Sequence, residues 1–302
     1  MSEKVWEALA KELAQNAEEA GRSVVAVGGR RHPASGVLLG NDAVVTVNHG
    51  VNRDEEITVV VGPDQRVSAR VAGRDPGTDL AVLRLAQPVT VTPPRWAAGS
   101  LRVGDLMLAL GRTWRGNVVA SSGVLSGVIN APWRTWRGGE LDHFVRPDLN
   151  LYSGFSGGPL VNSRGEFTGI NTQGLHRSAV TIPAATVTRV TAELLSKGRV
   201  ERPYLGLAMH TVALPESLRA RLNLKAGEGL LVVHVEPGSP SDKAGVLLGD
   251  TLVELDAKNV AGTDEVQDIL RAAKIGQEIE GIVMRGGAIA KIKVALEARP
   301  AR

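Results

Sequence analysis

Cysteine is absent from all 302 residues. Disulfides, thiolate metal sites and thiol nucleophiles are therefore excluded, and cysteine usage gives no guide to redox compartment. Long apolar runs are also missing: nothing approaches the roughly 18–20 residues of a membrane span. The N-terminus lacks the basic start, apolar stretch and small-residue cleavage site of a signal peptide. Instead Met1 to Ala20 mixes Glu, Lys, Gln and Asn throughout. The expectation is a cytoplasmic protein, unless the chain is a mature form. A large excess of one charge is lacking as well. The formal charge is +3 and the pI about 9.3, too mild a balance to imply a nucleic-acid partner.

What remains is ordinary globular material, 43% hydrophobic and 22% charged, long enough for about two domains. Residues 4–20 read as an amphipathic helix, with Val5, Leu9 and Leu13 at four-residue spacing, Trp6 beside them and Gly21 as C-cap. Short apolar segments follow: Ser23–Val27, Ser35–Leu39, Ala43–Val47, Ile57–Val61, Leu80–Leu85 and Met107–Leu110. Turn residues separate them, as expected of an all-β sandwich or barrel. This pattern runs to about Ile182. Ala184–Lys197 then carries one apolar helical stripe and stops at Gly198. After a charged linker at 199–203, a smaller unit begins at Tyr204. Its predicted strands lie near Leu230–Val235, Thr251–Leu255, Glu278–Met284 and Ala290–Leu296, and its helix near Thr263–Ala273, which is an α+β pattern.

The segment Gly154-Phe155-Ser156-Gly157-Gly158-Pro159 carries the chemistry. A serine hydroxyl needs a base to take its proton and donors to hold an oxyanion. The glycines let the backbone amides of Gly154 and Ser156 converge on one point. For the base, His49 stands out because it follows the apolar run Ala43–Val47. His32, His143, His176, His210 and His234 have no partner motif and read as surface or packed residues. For the orienting acid, Asp79 precedes the apolar run Leu80–Leu83, where an unpaired carboxylate is costly. Asp75, in the turn before it, reads as a turn-capping residue. The order His, Asp, Ser is that of chymotrypsin-type barrels.

Three segments together, Val44–His49, Asp75–Leu83 and Ser156–Asn162, resemble the motifs of HtrA-type serine proteases. Val119–Ser126 resembles the strand before that family's activation loops, Gly165–Thr172 the strand lining its substrate cleft, and Ala184–Leu207 its bridge to a PDZ domain. The resemblance implies a mainly β protein: a double six-stranded β-barrel protease domain over 22–198, preceded by a helix at 1–21, and a small α+β PDZ domain over 204–299. It implies His49, Asp79 and Ser156 as catalytic residues and the amides of Gly154 and Ser156 as the oxyanion hole. Asn171, Thr172 and Gln173 would pair with substrate backbone, and Asn150 would floor the primary pocket, which then favours a small or medium apolar residue. In the second domain Tyr204, Leu205, Gly206 and Leu207 resemble a carboxylate-binding loop, with Val266 and Leu270 as the facing wall. Unfolded proteins and peptide C-termini are the implied partners, a trimer the implied assembly, and neither cofactor nor metal is called for.

The sequence departs from the family at Phe155, at Tyr152-Ser153 and at Gly50. These positions leave a rival reading, a non-catalytic peptide-binding module or holdase acting through the PDZ groove. Trp114-Arg115 and Trp133–Arg137 mix aromatic and basic residues, and read as loop residues packed at a barrel rim or subunit contact.

Overall fold

The computed structural model describes residues 3–28, 33–135, 139–175, 179–222 and 227–299. His32, Trp136, Arg137 and His176 lie outside the described residues. The chain divides into two compact units, Met1–Val200 and Glu201–Arg302. The division falls inside the stretch expected to be a linker.

The first unit opens with helix α1 (Glu3–Gly21). Six strands follow: β1 (Val24–Val27), β2 (Ala34–Leu38), β3 (Ala43–Val47), β4 (Ile57–Gly62), β5 (Gln65–Asp75) and β6 (Leu80–Leu85). They close into an antiparallel barrel in the order β1-β2-β3-β6-β5-β4. A second barrel takes β7 (Leu106–Arg112) and β8 (Val118–Ile129). The short hairpin β9 (Trp133–Arg134) and β10 (Glu140–Leu141) leads on to β11 (Phe144–Asp148), β12 (Pro159–Asn162), β13 (Phe167–Thr172) and β14 (Val180–Pro183). This barrel closes in the order β11-β14-β13-β12-β7-β8. Helix α2 (Ala184–Lys197) ends the unit, its C-cap Gly198 in the left-handed region at φ 75.

The apolar runs are continuous because the strands are buried on both faces. Val25, Val27, Val44, Ala81 and Leu83 join one core cluster with Ile57 and Val59. Their neighbours Val24, Val45, Val47, Leu80 and Val82 join another, with Leu110, Ile170 and Ile182 of the second barrel and Val187 and Leu194 of α2. The two barrels thus share a core along one side. Helix α1 packs on this cluster through Leu13, Ala17 and Ala20, and Asn16 Nδ2 donates to the Ser163 carbonyl at 3.0 Å. Its predicted first turn does not pack: Val5 is 57% and Trp6 69% exposed.

The second unit has a sheet of β16 (Leu207–Ala213), β17 (Glu228–Val235), β18 (Thr251–Leu255), β20 (Glu278–Arg285) and β21 (Ala288–Ala295), in that spatial order. Strand β19 (Lys258–Asn259) pairs with β18, and β15 (Pro203–Tyr204) pairs with β22 (Glu297–Ala298). Helices α3 (Glu216–Leu222), α4 (Pro240–Lys243) and α5 (Thr263–Ala272) complete it. Its core gathers Leu205, Leu230, Val232, Leu252, Val266, Leu270 and Val283. The architecture is the mainly β, two-barrel plus small α+β arrangement expected. No described helix is long and apolar enough to cross a membrane.

Candidate active site

The site is built where β3 and β6 of the first barrel end beside each other. Val47 pairs with Leu80 in that ladder, so the residues just beyond, Asn48-His49 and Asp79, are neighbours. A short 3-10 turn over Asn48–Gly50 takes the chain away from the strand. The Asn48 amide donates to the Asp79 carbonyl at 2.8 Å. Asp79 adopts φ 59, a left-handed conformation unusual for a residue with a side chain. That conformation turns its carboxylate under the histidine. His49 Nδ1 lies 2.7 Å from Asp79 Oδ2, and the His49 amide donates to Oδ1 at 3.0 Å. Asp79 is fully buried, while the His49 side chain is 34% exposed. A buried carboxylate demands donors, and a third comes from the other barrel: Thr172 Oγ1 donates to Asp79 Oδ2 at 2.5 Å.

The surroundings hold this pair in place. Arg74 bonds Asn48 Oδ1 at 3.1 Å and the Val51 carbonyl at 2.7 Å, bracing the segment on both sides of His49. Asp75 accepts from the Gly77 amide at 3.1 Å and from Thr78 Oγ1 at 2.7 Å, capping the turn as read from sequence. Thr135 Oγ1 donates to the Gly77 carbonyl at 2.6 Å, and Trp133 stacks obliquely on Phe144, ring centroids 5.0 Å apart. The described part of the Trp133–Arg137 stretch therefore packs at the barrel rim.

Ser156 arrives on the loop before β12. The Phe155 amide donates to the Tyr152 carbonyl at 3.1 Å, and the Gly158 amide to the Phe155 carbonyl at 3.0 Å. The Gly157 amide reaches the Asn171 carbonyl at 2.8 Å. Gly154 and Gly157 adopt φ 95 and φ 88, which glycine alone tolerates readily. Among the described residues, neither the Gly154 nor the Ser156 amide donates to a protein acceptor, and no hydrogen bond joins Ser156 to His49. Among the described residues these two N–H groups and the imidazole Nε2 thus carry no hydrogen bond to protein. Phe155, the departure beside the nucleophile candidate, is 3% exposed and belongs to the second barrel's core with Met107, Leu125 and Leu160. It anchors the loop from below.

Other expected residues fall differently. Asn171 is removed from the substrate-pairing set. Its amide donates to the Gly158 carbonyl at 2.9 Å and its carbonyl is taken by Gly157, so its backbone is spent. Thr172 gives its side chain to Asp79, a bond that does not use its backbone. Gln173 is exposed, with Nε2 donating to the Leu151 carbonyl at 3.1 Å. Asn150 is exposed just after β11, a rim position and not the floor of an enclosed pocket. Gly174 was missed by sequence reasoning. A Cβ there would come within 2.5 Å of Asp79 Oδ2 and 2.6 Å of His49 Nδ1, so this glycine lies directly against the pair.

In the second unit, β16 pairs only with β17 among the described residues, leaving one edge to receive a strand. Gly206 precedes that edge with φ 80, and a Cβ there would lie 2.2 Å from Ser239 Cβ. Tyr204 pairs with Glu297 in the β15–β22 ladder, Leu205 is 5% exposed, and Leu207 packs on the core. Val266 and Leu270 correct the expectation of an open groove wall. They are 1% and 5% exposed, because α5 uses its apolar stripe to close the core.

Comparison with known proteins agrees with both halves. The model of a trypsin-like peptidase domain matches residues 34–170, and that of a PDZ domain residues 203–296. The serine protease Do-like HtrA of Lactobacillus helveticus is 33% identical over 273 residues, 85% of this chain and 66% of that protein. A probable periplasmic serine endoprotease DegP-like of Marinomonas sp. is 30% identical over 280 residues, 90% of this chain and 58% of that protein. The chain thus spans about three fifths of the length of the curated relatives it matches. The crystal structure of the serine endoprotease from Yersinia pestis superposes with a TM-score of 0.73 at 26% identity, over 95% of this chain and 98% of that one.

Proposed function

We propose that this chain, which belongs to the HtrA-type serine proteases with a trypsin-like peptidase domain and one PDZ domain, is a serine endopeptidase acting on unfolded or damaged proteins. The observation that carries the reading is the His49–Asp79 bond of 2.7 Å to a fully buried carboxylate, with the free amides of Gly154 and Ser156 on the facing loop.

In this reading Ser156 Oγ attacks the scissile carbonyl carbon and its proton passes to His49 Nε2. The carbonyl oxygen, now an oxyanion, takes the N–H groups of Gly154 and Ser156. His49 then gives the proton to the departing amine as the C–N bond breaks, leaving an acyl ester on Ser156. Water, deprotonated by His49, releases the acid and restores the serine. Asp79 fixes the Nδ1–H tautomer and stabilises the imidazolium. The absence of a Ser156–His49 hydrogen bond fits a ligand-free site, where such bonds are commonly long until substrate arrives.

The second unit would take an extended peptide along β16, with a C-terminal carboxylate at the Tyr204–Leu207 loop. The expected assembly is a trimer. The cytoplasmic placement stands beside relatives whose names say periplasmic, and cell fractionation decides between them.

Ser156→Ala should lower hydrolysis on the order of 10⁴-fold or more and abolish labelling by a fluorophosphonate, which should modify the wild-type chain at Ser156 with loss of fluoride. An unlabelled wild-type chain that still binds peptides in calorimetry would replace this reading with the non-catalytic module.

A further inference from the structure

Ser35 lies on β2 of the first barrel, 119 positions before Gly154 in sequence, and is fully buried. All of its polar groups are engaged, and two of the four bonds go to the loop that carries Ser156. Its Oγ–H donates to the Gly154 carbonyl at 2.6 Å. Its N–H donates to the Ser156 carbonyl at 2.8 Å. Its carbonyl accepts from Thr46 Oγ1 at 2.6 Å, and lies 2.0 Å from where a Cβ on residue 157 would stand. Its Oγ also accepts from the Arg112 amide at 3.0 Å. That last bond occupies a lone pair of the hydroxyl and leaves its proton for Gly154.

We propose that Ser35 is a positioning residue for the proteolytic reaction: its hydroxyl and amide hold the carbonyls of Gly154 and Ser156 away from the point where the oxyanion forms. The proposal rests on the protease reading given above. A carbonyl that turned towards that point would present negative charge to a developing negative charge. The peptide planes that follow Gly154 and Ser156 are the ones at stake. The Phe155 carbonyl is held separately, by the Gly158 amide at 3.0 Å. Ser35 therefore grips the carbonyl edge of two planes whose amide edges are held by the Tyr152 and Asn171 carbonyls.

Arg112 explains why this anchor is stiff. Its guanidinium donates to the carbonyls of Gly21 at 2.8 Å, Val24 at 2.5 Å and Gly116. Burial lowers its basicity, yet three carbonyls at the end of α1, on β1 and in the β7–β8 turn fix its side chain. The amide that meets Ser35 is thus on a residue tied to three elements. Because Ser35 is fully enclosed, it acts on the chemical step and makes no contact with substrate.

Ser35→Ala in the full chain is the test. Removing a direct oxyanion donor costs about 10²–10³-fold in kcat, and a residue acting one bond away should cost less, about 10- to 100-fold, with KM within about twofold. The rate of fluorophosphonate labelling at Ser156 should fall in step with kcat. A wild-type kcat in a folded Ser35→Ala chain overturns the proposal, as does a loss that appears wholly in KM. If wild-type protein itself fails to label, the protease reading has failed, which is a distinct result. Should Ser35→Ala not fold, Ser35→Cys keeps the size and a weak donor. An intermediate kcat is expected there, and an undiminished one overturns the proposal equally.

Discussion

One methyl group at Gly174 tests the His49–Asp79 arrangement directly. A Cβ built there lies 2.5 Å from Asp79 Oδ2 and 2.6 Å from His49 Nδ1. Comfortable contact begins nearly 1 Å further out, at roughly 3.5 Å. Something must move, and the surroundings decide what. The Asp79 carboxylate is fully buried and held by Thr172 Oγ1 at 2.5 Å and the His49 amide at 3.0 Å. The backbone at Gly174 is tied to Thr172 Oγ1 at 2.9 Å. The imidazole, 34% exposed, is the soft partner. Gly174→Ala should therefore push the ring outward and break the 2.7 Å bond. A misplacement of about 1 Å at a reacting group costs about 10²-fold. Complete loss of the orienting carboxylate costs about 10⁴-fold in the well-studied serine proteases. The expected fall in kcat lies between those limits. The backbone at this position is not left-handed, so alanine adds no conformational strain and the clash is isolated. Steady-state hydrolysis of a labelled unfolded protein, with active-site titration and a thermal melt, reads the result. A folded Gly174→Ala chain with kcat within about twofold of wild type would refute the described geometry.

Two further substitutions probe other parts of the molecule. Thr172→Val removes a charge-assisted hydrogen bond to Asp79, typically about 1.5–3 kcal/mol; kcat should drop about 10- to 100-fold while Thr172→Ser stays near wild type, as measured on a peptide substrate. In the second unit, burial tends to raise the Asp250 carboxyl, but Arg285 at 2.7 and 2.8 Å and the Leu247 amide at 2.8 Å outweigh it and hold the group below the usual carboxylate range. A lowered pKa in the folded state means stability that is complete above the ordinary carboxylate pKa and lost as pH falls through the folded value. Asp250→Asn should thus cost about 2 kcal/mol at pH 7 and flatten the acid limb of the unfolding curve; a stability–pH profile identical to wild type would contradict the assignment.

Much of the fold was legible because the barrel strands are buried on both faces, so β1, β3 and β6 appear as unbroken apolar runs. Strand β5 was not legible. Its sequence Gln-Arg-Val-Ser-Ala-Arg-Val-Ala-Gly-Arg-Asp has no such run, and its pairing with β4 and β6 defines it. The stripe of Val5, Leu9 and Leu13 gave the packed face of α1 but not its extent: Leu13, Ala17 and Ala20 meet the barrel, whereas Val5 and Trp6 stand exposed. At the site, Ser156 stood out through its glycine-rich turn, His49 and Asp79 through their places beside apolar runs, and all three through their order. Thr172, Gly174 and Ser35 take their importance from contacts across long stretches of chain: Thr172 meets a carboxylate 93 positions away. No local pattern records such a contact.

Those long contacts explain how two barrels can share the proposed reaction centre. His49 and Asp79 belong to the first barrel and Ser156 to the second, so their separation depends on how the barrels meet. An apolar interface tolerates sliding more readily than a hydrogen bond tolerates stretching, because burial is non-directional. Each barrel sends one hydroxyl into the other's half of the site. Thr172, at the end of β13, reaches the Asp79 carboxylate. Ser35, on β2, reaches the carbonyl of Gly154. The two bonds run in opposite directions across the same seam, one fixing the Asp79 carboxylate beside His49 and the other fixing the loop that carries Ser156. In the proposed reaction, the two bonds together make the distance between His49 and Ser156 a property of the seam itself. The glycines at 157 and 174 allow it, since a side chain at either would stand where Ser35 or the His49–Asp79 pair now lies.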